Sequence, residues 1–120
     1  MTFPTISYKF NGIEEAKSLP ATVEQKFSPL SKLIAKGSRA TCQVEFEKIT
    51  SHQQGRIYRI EANVSVNGTL YRAEATEHSF DAAIDKVRDE LDTELSRSKD
   101  KQGTLRKRAG RAFKALLTRG

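Results

Sequence analysis

RIYRIEANVSVNGTLYRAEATE, residues 56–77, is typical of a β-hairpin. Polar and apolar residues alternate on both sides of Asn67-Gly68, and this dipeptide suits a tight turn in which both positions need positive φ. A turn of this kind fixes the register of the strands, and the pairs that face inward are then apolar on one face. These pairs are Val64–Tyr71, Ala62–Ala73 and Ile60–Ala75. The stretch therefore predicts an antiparallel sheet with one buried face.

Two further strands and a helix are predicted before the hairpin. Apolar and polar residues alternate in residues 5–10 and again in residues 39–49, which indicates half-buried strands. In residues 19–36 the apolar residues recur at helical spacing, with Gly37 as the residue that ends the helix. Pro29 falls inside this helix and removes a backbone donor, so we expect a kink there or two shorter helices.

A second helix is predicted after the hairpin. Ser79 is suited to cap its N-terminus, and the helix runs to about Gln102, before a predicted break at Gly103. Its apolar stripe consists of Phe80, Ala83, Ile84, Val87, Leu91 and Leu95. Residues 104–119 have the pattern of one more helix, which is basic and amphipathic.

The order of elements is therefore β-α-β-β-β-α followed by a basic tail. This order predicts the α+β class, with a four-stranded, mostly antiparallel sheet and two helices packed on one of its faces. We expect a single folded domain over residues 1–102 and a basic helical tail over residues 103–120.

Positive charge is concentrated at the C-terminal end of the chain. The 120 residues contain 21 Lys and Arg against 15 Asp and Glu, a formal net charge of +6. Residues 97–120 hold nine of the basic residues and one acid, a net +8, so the rest of the chain is net −2. Basic arms of this kind commonly bind nucleic acid.

Catalytic and metal-binding patterns are missing from the sequence. His52 and His78 lie in different loops without ligands at metal-binding spacing, and Cys42 lies on the inward face of a strand, where a buried structural thiol is expected. We therefore expect a non-enzymatic protein with no cofactor, no metal and no small-molecule substrate. The chain has no apolar run of about 18 residues and no secretory signal, so we expect it in the cytoplasm.

Two acidic partners fit the basic tail. Phe113, Leu116 and Leu117 would allow residues 104–119 to lie on anionic lipid, but this apolar face is narrow and half alanine, which favours RNA over a membrane. Most aromatic residues fall on predicted core faces. Recognition of the backbone and shape of structured RNA is therefore favoured over stacking on unpaired bases.

One long motif runs from the last strand through the second helix. YRAEATEHSFDAAIDKVRDELDTELSRSKDK, residues 71–101, contains Arg72 to Ala75, then Phe80, then Ala83-Ile84-Asp85, and finally Lys99 with Lys101. The first helix adds Val23-Glu24-Gln25-Lys26-Phe27, Leu30 and Lys32. With this pattern, residues 5–101 resemble the ribosome hibernation-promoting factors, also called ribosome-associated translation inhibitors or sigma-54 modulation proteins.

The resemblance implies both a fold and a function. The first strand would join the sheet in parallel. Members of the family bind the small ribosomal subunit in the channel of messenger and transfer RNA, which blocks translation and preserves idle ribosomes under stress. The chain resembles a short form without the C-terminal dimerisation domain, and we expect a monomer off the ribosome; pairing of ribosomes and silencing of single ribosomes both stay open. A general double-stranded RNA-binding module is the alternative function.

The candidate RNA-binding residues come from two sources. The resemblance implies contacts with ribosomal RNA by Lys26 and Lys32 on the first helix and by Lys86, Lys99 and Lys101 on the second. The charge pattern adds Lys36, Arg97, Arg106, Lys107, Arg108, Arg111 and Lys114. The middle of the second helix is less basic than in many relatives, because it carries Asp89, Glu90 and Asp92. This departure disfavours its middle turns as an RNA-binding surface.

Overall fold

The computed structural model describes residues 3–13, 18–49 and 55–118, with side chains up to Lys99. The described residues form four strands, two α-helices and a short 3₁₀ segment. In chain order these are β1 (Ile6–Asn11), α1 (Ser18–Phe27), the 3₁₀ segment (Ser28–Leu33), β2 (Ala40–Lys48), β3 (Tyr58–Val66), β4 (Thr69–Glu77) and α2 (Phe80–Thr118). The predicted β-α-β-β-β-α order and α+β class are confirmed.

The four strands form one sheet in the order β1-β2-β3-β4. β1 pairs with β2 in parallel, as the resemblance implied, and the other pairs are antiparallel. The β3–β4 register contains all three predicted pairs. Asn67 and Gly68 have φ values of 51° and 86°, so the turn has the positive φ at both positions that the dipeptide predicted. Local turn chemistry therefore sets the register of the hairpin.

Both helices pack on one face of the sheet. Burial alternates along β2, where Cys42, Val44 and Phe46 point into the core. The α2 stripe lies over β3 and β4 in the same core, and α1 contributes Val23 and Phe27, which are fully buried. Aromatic rings are part of the same core, because Phe46 stacks with two rings of β1 and meets one ring of α2 edge-on. Burying this apolar surface is the main source of the stability of the domain.

Pro29 divides the first helical region, as predicted. α1 ends at Phe27, and the chain continues as the 3₁₀ segment with Pro29 in its first turn. The prediction that the helix reaches Lys36 is wrong, because the 3₁₀ segment ends at Leu33. Short 3₁₀ runs have poorer hydrogen-bond geometry than α-helices and seldom extend far. Gly37 instead lies in a turn with φ 83°, three residues before β2 begins.

α2 begins with the predicted cap and is longer than predicted. The Ser79 Oγ accepts a hydrogen bond from the Ala82 backbone nitrogen at 3.1 Å, which satisfies one free donor of the first turn. The helix then continues to Thr118, so the predicted break at Gly103 is wrong. An isolated glycine costs about 1 kcal/mol relative to alanine inside a helix, which weakens a helix without ending it.

Candidate nucleic-acid interface

The open face of the sheet carries cations, but carboxylates neutralise them. The Arg59 guanidinium lies 3.2 Å from Glu47 and 3.3 Å from Glu61. It also donates a hydrogen bond to Glu74, which lowers the pKa of that carboxyl below its ordinary value. Arg72 pairs with Glu61 and lies 3.6 Å from Glu74. This face is therefore a poor platform for an anion.

Lys26 is paired with a carboxylate across the two helices. Its Nζ donates to Asp85 Oδ1 at 2.7 Å, and the two side chains are 26% and 46% exposed. Arg88 lies 3.7 Å from the same carboxylate and 2.9 Å from Asp89. Asp85 therefore holds Lys26 next to Arg88 and compensates the charge of both.

Lys86 and Arg97 are paired as well. The Lys86 Nζ lies 3.1 Å from Glu77, and Arg97 lies 3.5 Å from Glu94, one helical turn earlier. Both basic side chains are well exposed, so these pairs are screened by solvent and weak. The exposed acids in the middle of the same helix are Asp89, Glu90 and Asp92. The middle of α2 is thus of mixed charge, which agrees with the departure noted in the sequence.

Lys32, Lys36 and Lys99 lie at the other end of the helices. The Lys99 Nζ donates to the backbone carbonyl of Lys32 at 3.3 Å, which joins α2 to the 3₁₀ segment. All three side chains are exposed. Among the side chains that the structure describes, no carboxylate oxygen lies within 4.0 Å of their Nζ atoms. Three predicted cations are therefore brought to one end of the domain without a carboxylate partner among the described side chains.

Arg39 is a fourth exposed cation at this end, and the sequence reasoning missed it. Its backbone nitrogen donates to Asn67 Oδ1 at 2.9 Å, and its carbonyl accepts from the Asn67 backbone nitrogen at 2.8 Å. The strand register could have placed Arg39 here. Arg39 directly precedes Ala40, and Ala40 pairs with Val66 beside the hairpin turn. We call the four cations Lys32, Lys36, Arg39 and Lys99 the distal basic cluster.

The remaining candidate residues lie beyond the described side chains. They are Lys101, Arg106, Lys107, Arg108, Arg111 and Lys114. Their backbone belongs to the last part of α2, which leaves the domain from the distal basic cluster at Lys99. The cluster is therefore continuous along the chain with the basic C-terminal segment.

The described side chains offer no alternative chemical site. They contain no group of three His, Cys, Asp or Glu residues that would hold a metal ion. His78 is exposed, and His52 lies outside the described residues. Burial raises the pKa of the Cys42 thiol to about 12, so the thiol is protonated at neutral pH and is the structural residue that was predicted. None of the described helices is long and apolar enough to cross a membrane.

Comparisons with known proteins give a family and a shared fold. Residues 6–103 match the family model described as Sigma 54 modulation protein / S30EA ribosomal protein. The chain belongs to this family. A comparison with curated proteins gives no match.

Two solved structures share the fold of this chain. The N-terminal domain of Protein Y from Thermus thermophilus superposes with a TM-score of 0.63 at 24% identity, over 77% of this chain and 96% of that chain. A ribosomal subunit interface protein from Coxiella burnetii superposes with a TM-score of 0.60 at 20% identity, over 79% of this chain and 97% of that chain. The resemblance drawn from the sequence motif is thereby confirmed.

The S30EA family match contains the whole distal basic cluster and ends at residue 103. Residues 104–120, with five of the candidate cations, lie outside the match. The family consists of ribosome-associated proteins and not of enzymes, which agrees with the function class predicted from the sequence.

Proposed function

We propose that this chain is a translation inhibitor that binds ribosomal RNA of the small subunit, in the channel of messenger and transfer RNA, and promotes ribosome hibernation under stress. The observation that carries the proposal is the distal basic cluster, a set of exposed cations without a described carboxylate partner on a domain of the S30EA family. The similar protein from Coxiella burnetii is described as a ribosomal subunit interface protein, which supports the same partner here.

The charges of the domain favour an end-on approach to RNA. Lys26 and Lys86 are paired with carboxylates, and a phosphate backbone that nears the middle of α2 meets Asp89 and Glu90. Two unit charges 4 Å apart interact by about 4 kcal/mol near a protein surface, so a few uncompensated charges decide which end binds. At the distal basic cluster, none of the described carboxylate oxygens lies within 4.0 Å of a lysine Nζ atom, so this end attracts phosphate more strongly than the middle of α2.

The two parts of the chain have different tasks in this proposal. The domain of residues 1–102 selects the docking position, and the basic tail of residues 103–120 adds long-range attraction. Inhibition is steric: a bound domain occupies space that messenger and transfer RNA need, and no covalent chemistry is involved. The protein acts in the cytoplasm, as a monomer before it binds.

Sedimentation with purified ribosomal subunits tests the proposal. We expect the chain to co-sediment with the small subunit at low salt, and to lose roughly 10³–10⁵ in affinity between 50 and 200 mM salt if six to ten phosphates are neutralised. Lys36→Gln/Arg39→Gln should weaken this binding. Lys9→Gln/Lys48→Gln is the charge-matched control, because both lysines are exposed on the sheet. If the chain stays at the top of the sedimentation gradient when it is mixed with small subunits, the proposal is contradicted.

The second candidate function is a general double-stranded RNA-binding module. It is favoured by one observation: the rings of Tyr8, Phe10 and Phe46 pack on each other, so they are not free to stack on bases. Recognition then depends on backbone and shape, which any RNA duplex presents. Competition separates the two functions. Equal affinity for small subunits and for an arbitrary RNA duplex supports the general module.

A further inference from the structure

A groove lies within the distal basic cluster, where the 3₁₀ segment, the β3–β4 turn and α2 meet. It has a volume of about 250 Å³. Leu33, Val66 and Leu95 give it an apolar wall, and Lys32 and Lys99 lie on its rim. The groove therefore combines an apolar surface with two cations that have no described carboxylate partner.

The cations of the groove have unused donors. The Lys99 ammonium has three N–H donors, of which one reaches the Lys32 carbonyl at 3.3 Å. The depression beside Lys9 differs in charge, because Glu45 and Glu61 also line it. Charge complementarity thus favours an anion in the groove between the helices and the hairpin turn.

Two serine hydroxyls in the groove also have a proton to donate. Ser98 Oγ accepts a hydrogen bond from the Tyr71 hydroxyl, and Ser38 Oγ accepts one from Asn67 Nδ2 at 3.2 Å. The orientation of the Asn67 amide follows from its Oδ1, which accepts from the Arg39 backbone nitrogen. Because each serine oxygen already accepts within the protein, each hydroxyl proton remains available to a ligand. The polar side of the groove therefore consists of donors, as an oxyanion with several acceptor oxygens requires.

We propose that this groove binds one phosphodiester group of an RNA strand, with Lys32, Lys99, Ser38 and Ser98 on the phosphate oxygens and the adjoining ribose against the apolar wall. Asn67 is a positioning residue, because its side chain fixes Ser38 and the backbone of Arg39. The proposal rests on the proposed function and extends it: the hairpin turn, and not the two helices alone, forms the RNA-binding surface.

The 5′-phosphorylated dinucleotide pUpU, added to the full chain, is the direct probe. In ¹H–¹⁵N NMR spectra we expect the backbone amides of Ser38, Thr69 and Ser98 to shift and to saturate. Lys32→Gln/Lys99→Gln should weaken binding about tenfold or more, since charge-assisted hydrogen bonds are lost. The charge-matched Lys9→Gln/Lys48→Gln should leave these shifts unchanged. Shifts that miss the groove, or an equal loss in both double variants, would overturn the proposal.

Two further variants separate direct contact from folding. Ser98→Ala removes a donor at a helical position that favours alanine, so the thermal transition should persist while pUpU binding weakens. Asn67→Gly keeps the positive φ of the turn but releases Ser38, and it should weaken pUpU binding as well. Unchanged binding in both variants would remove the serine hydroxyls from the site and overturn the assignment.

An oligoglutamate peptide and ribosomal subunits complete the experiment. If oligoglutamate saturates the same amides as tightly as pUpU, the groove takes carboxylates of a protein partner, and the RNA assignment is overturned. Groove binding of pUpU without co-sedimentation with ribosomes would refute the proposed function alone. If Lys32→Gln/Lys99→Gln reduces co-sedimentation no more than Lys9→Gln/Lys48→Gln does, the groove assignment is refuted and the proposed function is not.

Discussion

Replacing Asp85 by Asn tests whether internal carboxylates restrain the cations of the helices. Asp85 accepts from Lys26 at 2.7 Å and lies 3.7 Å from Arg88. The Lys26 and Asp85 side chains are partly exposed, so solvent screens the pair and its contribution to stability is about 0.5–1 kcal/mol. Asp85→Asn should therefore lower the melting temperature by about 2–8 °C.

The same substitution should strengthen RNA binding. It leaves Lys26 without its carboxylate partner, whereas Arg88 keeps Asp89 at 2.9 Å. One released lysine adds about one phosphate contact, which steepens the logarithmic salt dependence of binding by about 0.7–0.9. Stability and affinity should therefore move in opposite directions.

Thermal melts and salt titrations of ribosome binding measure the two effects. Glu90→Gln is the matched control, because it makes the same change of net charge at an exposed position of α2, and the described side chains give Glu90 no ion pair. Asp85→Asn should lower stability and steepen the salt dependence more than Glu90→Gln does. Equal melting temperatures and equal salt slopes in the two variants would refute the reasoning.

Three other predictions follow from single features of the fold. Burial raises the pKa of the Cys42 thiol to about 12 from 9.0, so the unfolded thiol ionises first and the free energy of unfolding should fall above pH 9 in urea titrations. Cys42→Ala should flatten this loss between pH 9 and 10. Above pH 10 Tyr8 adds a similar loss, because burial raises the pKa of its hydroxyl from 10.0 to about 12. Ser79→Ala should lower the free energy of unfolding by about 1 kcal/mol in the same assay, since it removes the cap of α2. Deletion of residues 104–120 should leave the thermal transition of the domain in place, because the described core stripe of α2 lies before this segment and reaches Leu95. The deletion should also flatten the salt dependence of RNA binding, and an unchanged salt slope would contradict the role of the tail.

The fold was predictable because its signals are local. The turn at Asn67-Gly68 sets a register that a strand pattern alone leaves open, and the cap at Ser79 marks where α2 begins. The break expected at Gly103 is absent, because a glycine inside a helix costs only about 1 kcal/mol and this is too little to end the helix. Glycine is decisive where the backbone needs positive φ, and elsewhere it is only a weak preference.

The compensation of charges was not predictable from local patterns. Lys26 and Asp85 are 59 positions apart in the chain, and only the packing of α1 beside α2 brings them within 2.7 Å. The reverse holds for Arg39, which lies in no basic run but is placed beside the hairpin turn by two hydrogen bonds to Asn67. Sequence spacing identifies where cations are, whereas the tertiary structure decides which of them keep their charge available.

This distinction changes how the basic composition of the chain relates to its function. Net charge attracts RNA at a distance, but orientation depends on charges that no neighbour compensates within a few ångströms. In the described domain the four cations of the distal basic cluster are such charges, as are Lys48 and Arg56 outside it, and Lys99 leads from the cluster into the basic segment of α2. In the proposed function, an RNA strand that the segment attracts would therefore meet the end of the domain that carries the groove. The paired lysines would contribute only if RNA competed successfully with Asp85 and Glu77, and at 2.7 Å and 3.1 Å these carboxylates already hold the positions that phosphates would take.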